Sequence, residues 1–93
     1  MDISITVRHT SVPDDIKERA HELIEKLSKR ATRATSAKVV LDQDHGKCTA
    51  ELKLHLPGGN IVVASAEAED FRTALDRMID KASAQIVKTS AKH

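Results

Sequence analysis

Cys48, Ala50, Leu52, Leu54 and Leu56 alternate with Thr49, Glu51, Lys53 and His55. Such strict period-two patterning describes a strand with one face buried and one face in water. A half-buried strand needs neighbours on both sides and a layer over its apolar face. The rest of the chain supplies both. Ile3, Ile5 and Val7 alternate with Ser4, Thr6 and Arg8 to give a first strand. Ala37, Val39 and Leu41 alternate with Lys38, Val40 and Asp42 to give a second. Asp44-His45-Gly46 reads as the tight turn into the third strand, with Gly46 taking a positive φ. Pro57-Gly58-Gly59-Asn60 reads as the hairpin turn into a fourth strand, Ile61 to Ala66.

The covering layer is helical. Ser11-Val12-Pro13-Asp14-Asp15 has the form of a helix start, with Pro13 in the first turn and acids that complement the dipole. Ile16, Ala20, Leu23, Ile24, Leu27 and Ala31 then make one apolar stripe, which fades near Thr32 to Thr35. Glu67-Ala68-Glu69-Asp70 precedes a second helix whose stripe is Phe71, Ala74, Leu75, Met78, Ile79, Ala82 and Ile86. The order is β-α-β-β-β-α. It predicts an α+β fold: a four-stranded mixed sheet with two parallel helices on one face and the other face open. The 93 residues make one domain, 1–93, with a polar frayed tail at about 89–93. Phe71 is the sole aromatic residue, so the core is built from Ile, Leu, Val and Ala.

The 15 Lys and Arg nearly balance the 14 Asp and Glu, so any nucleic-acid surface must come from the placement of charge. Both helices carry acids early and bases late. Dipole complementarity alone accounts for that order. Faces say more. Arg19, Lys26, Arg30 and Arg33 share one helical stripe, and Arg77, Lys81, Lys88 and Lys92 share another. With parallel helices, the basic ends meet at one edge of the domain, where they suit a phosphate backbone. The open sheet face offers Ser4, Thr6, Lys38, Thr49, Glu51, Lys53 and His55, none of them aromatic, which argues against base stacking there.

Catalytic and metal readings are weaker. His45 and Cys48 beside Asp42 and Asp44 fall short of a converging ligand set, and Cys48 has inward parity. His9 and His55 lack a nucleophile motif, and Gly58-Gly59 lies between strands instead of before a helix. Glu67, Glu69 and Asp70 fit capping groups better than a cation site. No metal, cofactor or small-molecule substrate is expected, and no enzyme activity. One cysteine allows no internal disulfide, and neither a signal peptide nor a membrane span is read. The expected location is therefore the cytoplasm.

Several strings in this order resemble the ribosome hibernation factors, the family of the hibernation-promoting factors and the ribosome-associated inhibitor. They are Arg8-His9, Leu23-Ile24-Glu25-Lys26-Leu27, Val63-Ala64-Ser65, Glu69-Asp70-Phe71-Arg72-Thr73-Ala74-Leu75-Asp76 and Ile79-Asp80-Lys81. The resemblance spans almost the whole chain. It implies a shape related to double-stranded RNA-binding domains. It also implies binding of the small ribosomal subunit through 16S rRNA, in the decoding channel, blocking mRNA and tRNA sites and inhibiting translation in stasis. Whole 70S ribosomes and their dimers are further partners that it allows. Carried over by position, the RNA-binding residues are Arg8, Lys26, Lys29, Lys81 and Lys88, and the stripe argument adds Arg30 and Arg33. Arg72 stands where the family usually has Tyr, Ala84 where a basic residue is frequent, and Leu23 where one sometimes occurs. The missing bases thin the charge expected to face rRNA. Short form and N-terminal domain of a longer protein both fit the sequence. The alternative function is a protein-interaction module of the same fold that binds no RNA.

Overall fold

A computed structural model describes residues 2–30 and 34–90, with the side chains of 30 and 87–90 left out of the description. The elements are β1 (Asp2–Arg8), α1 (Asp14–Arg30), β2 (Ser36–Asp44), β3 (Lys47–His55), a short 3-10 turn (Pro57–Gly59), β4 (Ile61–Ala68) and α2 (Phe71–Ser90). The sheet order is β1-β2-β3-β4. β1 pairs parallel with β2, and the other two pairings are antiparallel. This is the mixed sheet and element order that the periodicity predicts.

The end of β4 differs from the sequence reading. β4 runs on through Glu67 and Ala68, so these residues belong to the sheet and not to the helix start. Alanine and glutamate have weak strand preference, but Glu67 and Ala68 pair with Thr49 and Cys48, so the register extends the strand. The turn after β2 holds two positive-φ residues, His45 at 51° and Gly46 at 79°. That is the type I′ pattern, whose twist matches the strands it joins.

The core lies between sheet and helices. Ala37, Val39, Leu41, Ala50, Leu52, Leu54, Val62, Ala64 and Ala66 meet Ile16, Ala20, Ile24, Leu27, Ala74, Leu75, Met78, Ala82 and Ile86. Many of these are alanines, which let the helices approach the sheet closely. Cys48 is buried, as its parity predicts.

The helices run in the same direction and in register. Arg19 Nη2 donates to Asp76 Oδ1 at 2.8 Å and Arg72 Nη2 to Asp15 Oδ2 at 3.3 Å, and both pairs are 57 residues apart. A constant offset while both numbers rise is possible only for parallel helices.

Asp70 caps α2. Its carboxylate accepts from the Thr73 amide at 2.7 Å and the Thr73 hydroxyl at 3.0 Å. These bonds, the amide first, hold the Asp70 carboxyl below its ordinary value of 3.8. A depressed carboxylate stabilises the fold above its unfolded value, and that contribution disappears as pH falls through the folded value. Asp70→Ala is therefore expected to lower Tm by several degrees at pH 7. The difference from wild type should shrink in thermal melts taken at successively lower pH below about 4.

Candidate nucleic-acid interface

The strand registers define two ends of the domain. Asp2, Ser36, His55 and Ile61 lie in one row across the sheet, and Arg8, Asp42, Thr49 and Glu67 in another. Each helix starts after a strand that finishes at the Arg8 row and runs back toward the Asp2 row. The acids Asp14, Asp15 and Asp70 therefore gather at the Arg8 end. Lys26 and Lys29, both exposed, stand on the last turns of α1 toward the other end. α2 carries its backbone to Ser90 in the same direction. A domain of net charge +1 thus has opposed charged ends.

The two basic stripes expected from helical spacing do not form one surface. Arg19 and Lys26 face the seam between the helices. Lys26 lines a groove there with Leu23, Leu27, Ile79, Asp80 and Ser83. Arg19 is engaged with Asp76, and its Nε is buried with no hydrogen-bond partner among the described residues.

Arg77 and Lys81 lie on the opposite flank of α2, over the edge of the sheet. Arg77 Nη1 donates to the Glu67 carbonyl at 2.9 Å, Lys81 Nζ to the Ser65 carbonyl at 2.8 Å, and Gln85 Nε2 to the Val63 carbonyl at 2.6 Å. Donors one helical turn apart meet carbonyls two residues apart, because about 6 Å separates both sets. β4 is an edge strand, and this ladder satisfies three of its outward carbonyls. Helix-only reasoning missed that role. The signal was in the sequence, as donors at 77, 81 and 85 facing alternate residues of the preceding strand.

The remaining sequence-derived candidates divide by place. Arg8 is exposed on the open-face side of β1, across from Asp42, at the opposite end of the sheet from Lys26 and Lys29. The structure does not bring it together with them. Arg33 lies outside the described residues, as do the side chains of Arg30 and Lys88.

His9, His45 and Cys48, weighed for chemistry by residue type, each have a defined partner or environment. His9 Nδ1 lies 2.8 Å from Asp42 Oδ1, at the exposed turn leaving β1. That hydrogen bond is the chief cause of the lowered Asp42 carboxyl, with smaller help from the Gln43 amide and the charges of His9 and Arg8. His45 pairs with Asp44 at 2.7 Å. Burial pushes the Cys48 thiol up, away from the thiolate that a nucleophile or metal ligand requires. Among the described residues no group of His, Cys, Asp and Glu is arranged to hold a metal ion. None of the described helices is long and apolar enough to cross a membrane.

Residues 3–93 match the family described as Sigma 54 modulation protein / S30EA ribosomal protein. The chain belongs to that family. Its S30EA relatives include the ribosome hibernation promoting factor of Azotobacter vinelandii, 33% identical over 92 residues, which span 99% of this chain and 85% of the relative. The protein of that name from Escherichia coli is 32% identical over 88 residues, 95% of this chain and 92% of the relative. The N-terminal domain of Thermus thermophilus Protein Y superposes with a TM-score of 0.83 at 28% identity, covering 96% of this chain and 99% of that one. A ribosomal subunit interface protein from Coxiella burnetii shares the fold, with a TM-score of 0.81 at 22% identity. The S30EA fold is therefore the α+β arrangement described above.

Proposed function

We propose that this chain is a ribosome hibernation factor that binds the small subunit through 16S rRNA in the decoding channel. There it blocks mRNA and tRNA sites and lowers translation in stasis by occupancy, with no bond made or broken. The observation that carries the reading is the parallel, in-register pairing of the helices, which sets the exposed Lys26 and Lys29 at the end toward which α2 also runs. The names of the relatives support the ribosome as partner. Lys26 and Lys29 are the leading rRNA contacts, with Lys81 on the flank of α2, and helical spacing and the family resemblance add Lys88, Arg30 and Arg33 as further contacts. Arg8 makes at most a separate contact. Lys81 must exchange its Ser65 carbonyl for a phosphate, which lowers the net gain from its charge.

Such binding is electrostatic and therefore salt-dependent. Neutralising about five phosphates gives a log–log salt slope on the order of −4. Co-sedimentation with small subunits across a salt series measures it, with mRNA and tRNA as competitors. Saturable, salt-sensitive binding that mRNA and tRNA displace is the expected result. Binding that is insensitive to salt, or no binding at low salt, overturns the reading in favour of a protein partner.

A further inference from the structure

The open face of the sheet carries a charge arrangement that the helical site does not use. Lys38 and Lys53 are direct cross-strand partners in the antiparallel β2–β3 pair. Like charges in that position repel and weaken a sheet. Neither lysine has a hydrogen bond or ion pair among the described residues, and both are exposed.

Beside them lies apolar surface. Ile61 and Val63, on the edge strand β4, are the large hydrophobic residues left most open among the described residues, at 49% and 55% exposure. Val63 pairs directly with Lys53. Val40 and Val63 are two walls of a shallow depression of about 350 Å³, whose rim holds Lys38, Lys53 and Glu51. The helices lie on the other face and cover none of it.

We propose that this patch is a second interaction surface, for an acidic, amphipathic segment of a partner protein. An aliphatic side chain of the segment fills the depression between Val40 and Val63, and its carboxylates meet Lys38 and Lys53. Glu51, two residues from Lys53 on β3 and directly across from Val40, repels acids on that side and fixes which way the segment lies.

Other occupants fit less well. A nucleic acid would pair with the lysines but leave Ile61 and Val63 against its charged backbone, and the face has no Phe, Tyr or Trp on which to stack bases. A second copy docked face to face with its two-fold axis at the lysine pair would set one pair against the other. The surface is separate from the proposed rRNA contacts on the helices, so either assignment can fail alone.

The test is a titration of isotope-labelled protein, followed by amide chemical shifts. The probes are a capped peptide of alternating Glu and Leu, a matched Lys and Leu peptide, and a short oligouridylate. The expected result is saturable shifts at Lys38, Val40, Lys53 and Val63 with the acidic peptide alone. Lys38→Glu with Lys53→Glu should weaken that binding by about tenfold or more, and Glu51→Gln should tighten it. An equal response to the basic peptide would reduce the patch to unselective apolar contact and overturn the proposal. Shifts at the same amides with oligouridylate alone would assign it to nucleic acid, and a silent patch would also overturn it. Co-sedimentation of the doubly substituted protein with small subunits reads the helical site independently.

Discussion

Replacing Lys26, Lys29, Lys81 and Lys88 by Glu is expected to abolish co-sedimentation with the small subunit while the domain stays folded. Each replacement removes a cation that can release a counterion from rRNA and adds an anion that repels it. If these four supply most of about five phosphate contacts, the salt slope should collapse from on the order of −4 toward −1. Affinity at physiological salt should fall by about a hundredfold or more. Lys26 and Lys29 are exposed, so their reversal leaves the core untouched.

Lys81 is the position where structure and binding become confused, because its ammonium also caps the Ser65 carbonyl. A Glu there loses the cap and sets a carboxylate near a carbonyl. Lys81→Gln separates the two roles, since an amide still donates but carries no charge. A quadruple variant carrying Gln at that position should melt close to wild type and still fail to bind. Full binding by a folded quadruple variant would dismiss the helical lysines as the contact. Reversal of Arg8 alone, at the other end of the sheet, should change binding much less.

The sheet was legible because its faces differ so sharply. In β3 the apolar and polar sets separate completely, and the turn residues at Gly46 and Pro57 to Asn60 mark where the chain reverses. The helix starts were legible from Pro13, Asp14 and Asp70, and parallel packing followed from the β-α-β crossover and the meander. The end of β4 was not. Glu67 and Ala68 suit a helix start locally, and only pairing with Thr49 and Cys48 holds them in the sheet.

The candidate site was legible in part. Spacing places charges on a helix face but does not say what that face meets. Arg19 and Lys26 share a stripe, yet Arg19 is held by Asp76 because the helices align at a fixed offset. Lys81 and Arg77 share another, yet both are drawn to β4 carbonyls, whose direction depends on sheet register. Arg8 was assigned by resemblance alone, and chain direction sends it to the acidic end. Stripes record angle around one helix axis, whereas a binding surface needs position across several elements.

Leu52→Ala is expected to cost about 2–5 kcal/mol, the largest stability effect of any single change considered. Leu52 is 1% exposed, on an interior strand, and faces the helices. Its direct partners on that face are Val39 and Ala64, and Ala37, Ala50, Ala66, Ala74 and Ala82 are all in the same core. Alanines have no side-chain freedom with which to fill a void, and the sole aromatic, Phe71, is only partly buried at the margin. The cavity should therefore stay open, which places the cost toward the upper part of that range. A domain of 93 residues is stable by roughly 5–14 kcal/mol, so one lost leucine can consume a large share. Thermal melts should show Tm lower by roughly 10–30 °C, and urea titrations a lower midpoint with a similar slope. Val63→Ser, one strand over on the opposite face, is the contrast. Val63 is 55% exposed, so its replacement should shift stability by about 0.5 kcal/mol or less. If Val63→Ser destabilised the fold as Leu52→Ala does, the open face would be holding the sheet together instead of awaiting a partner. If it left Tm unchanged but removed the acidic-peptide response, the same valine would be marked as a contact whose apolar surface the fold does not itself use.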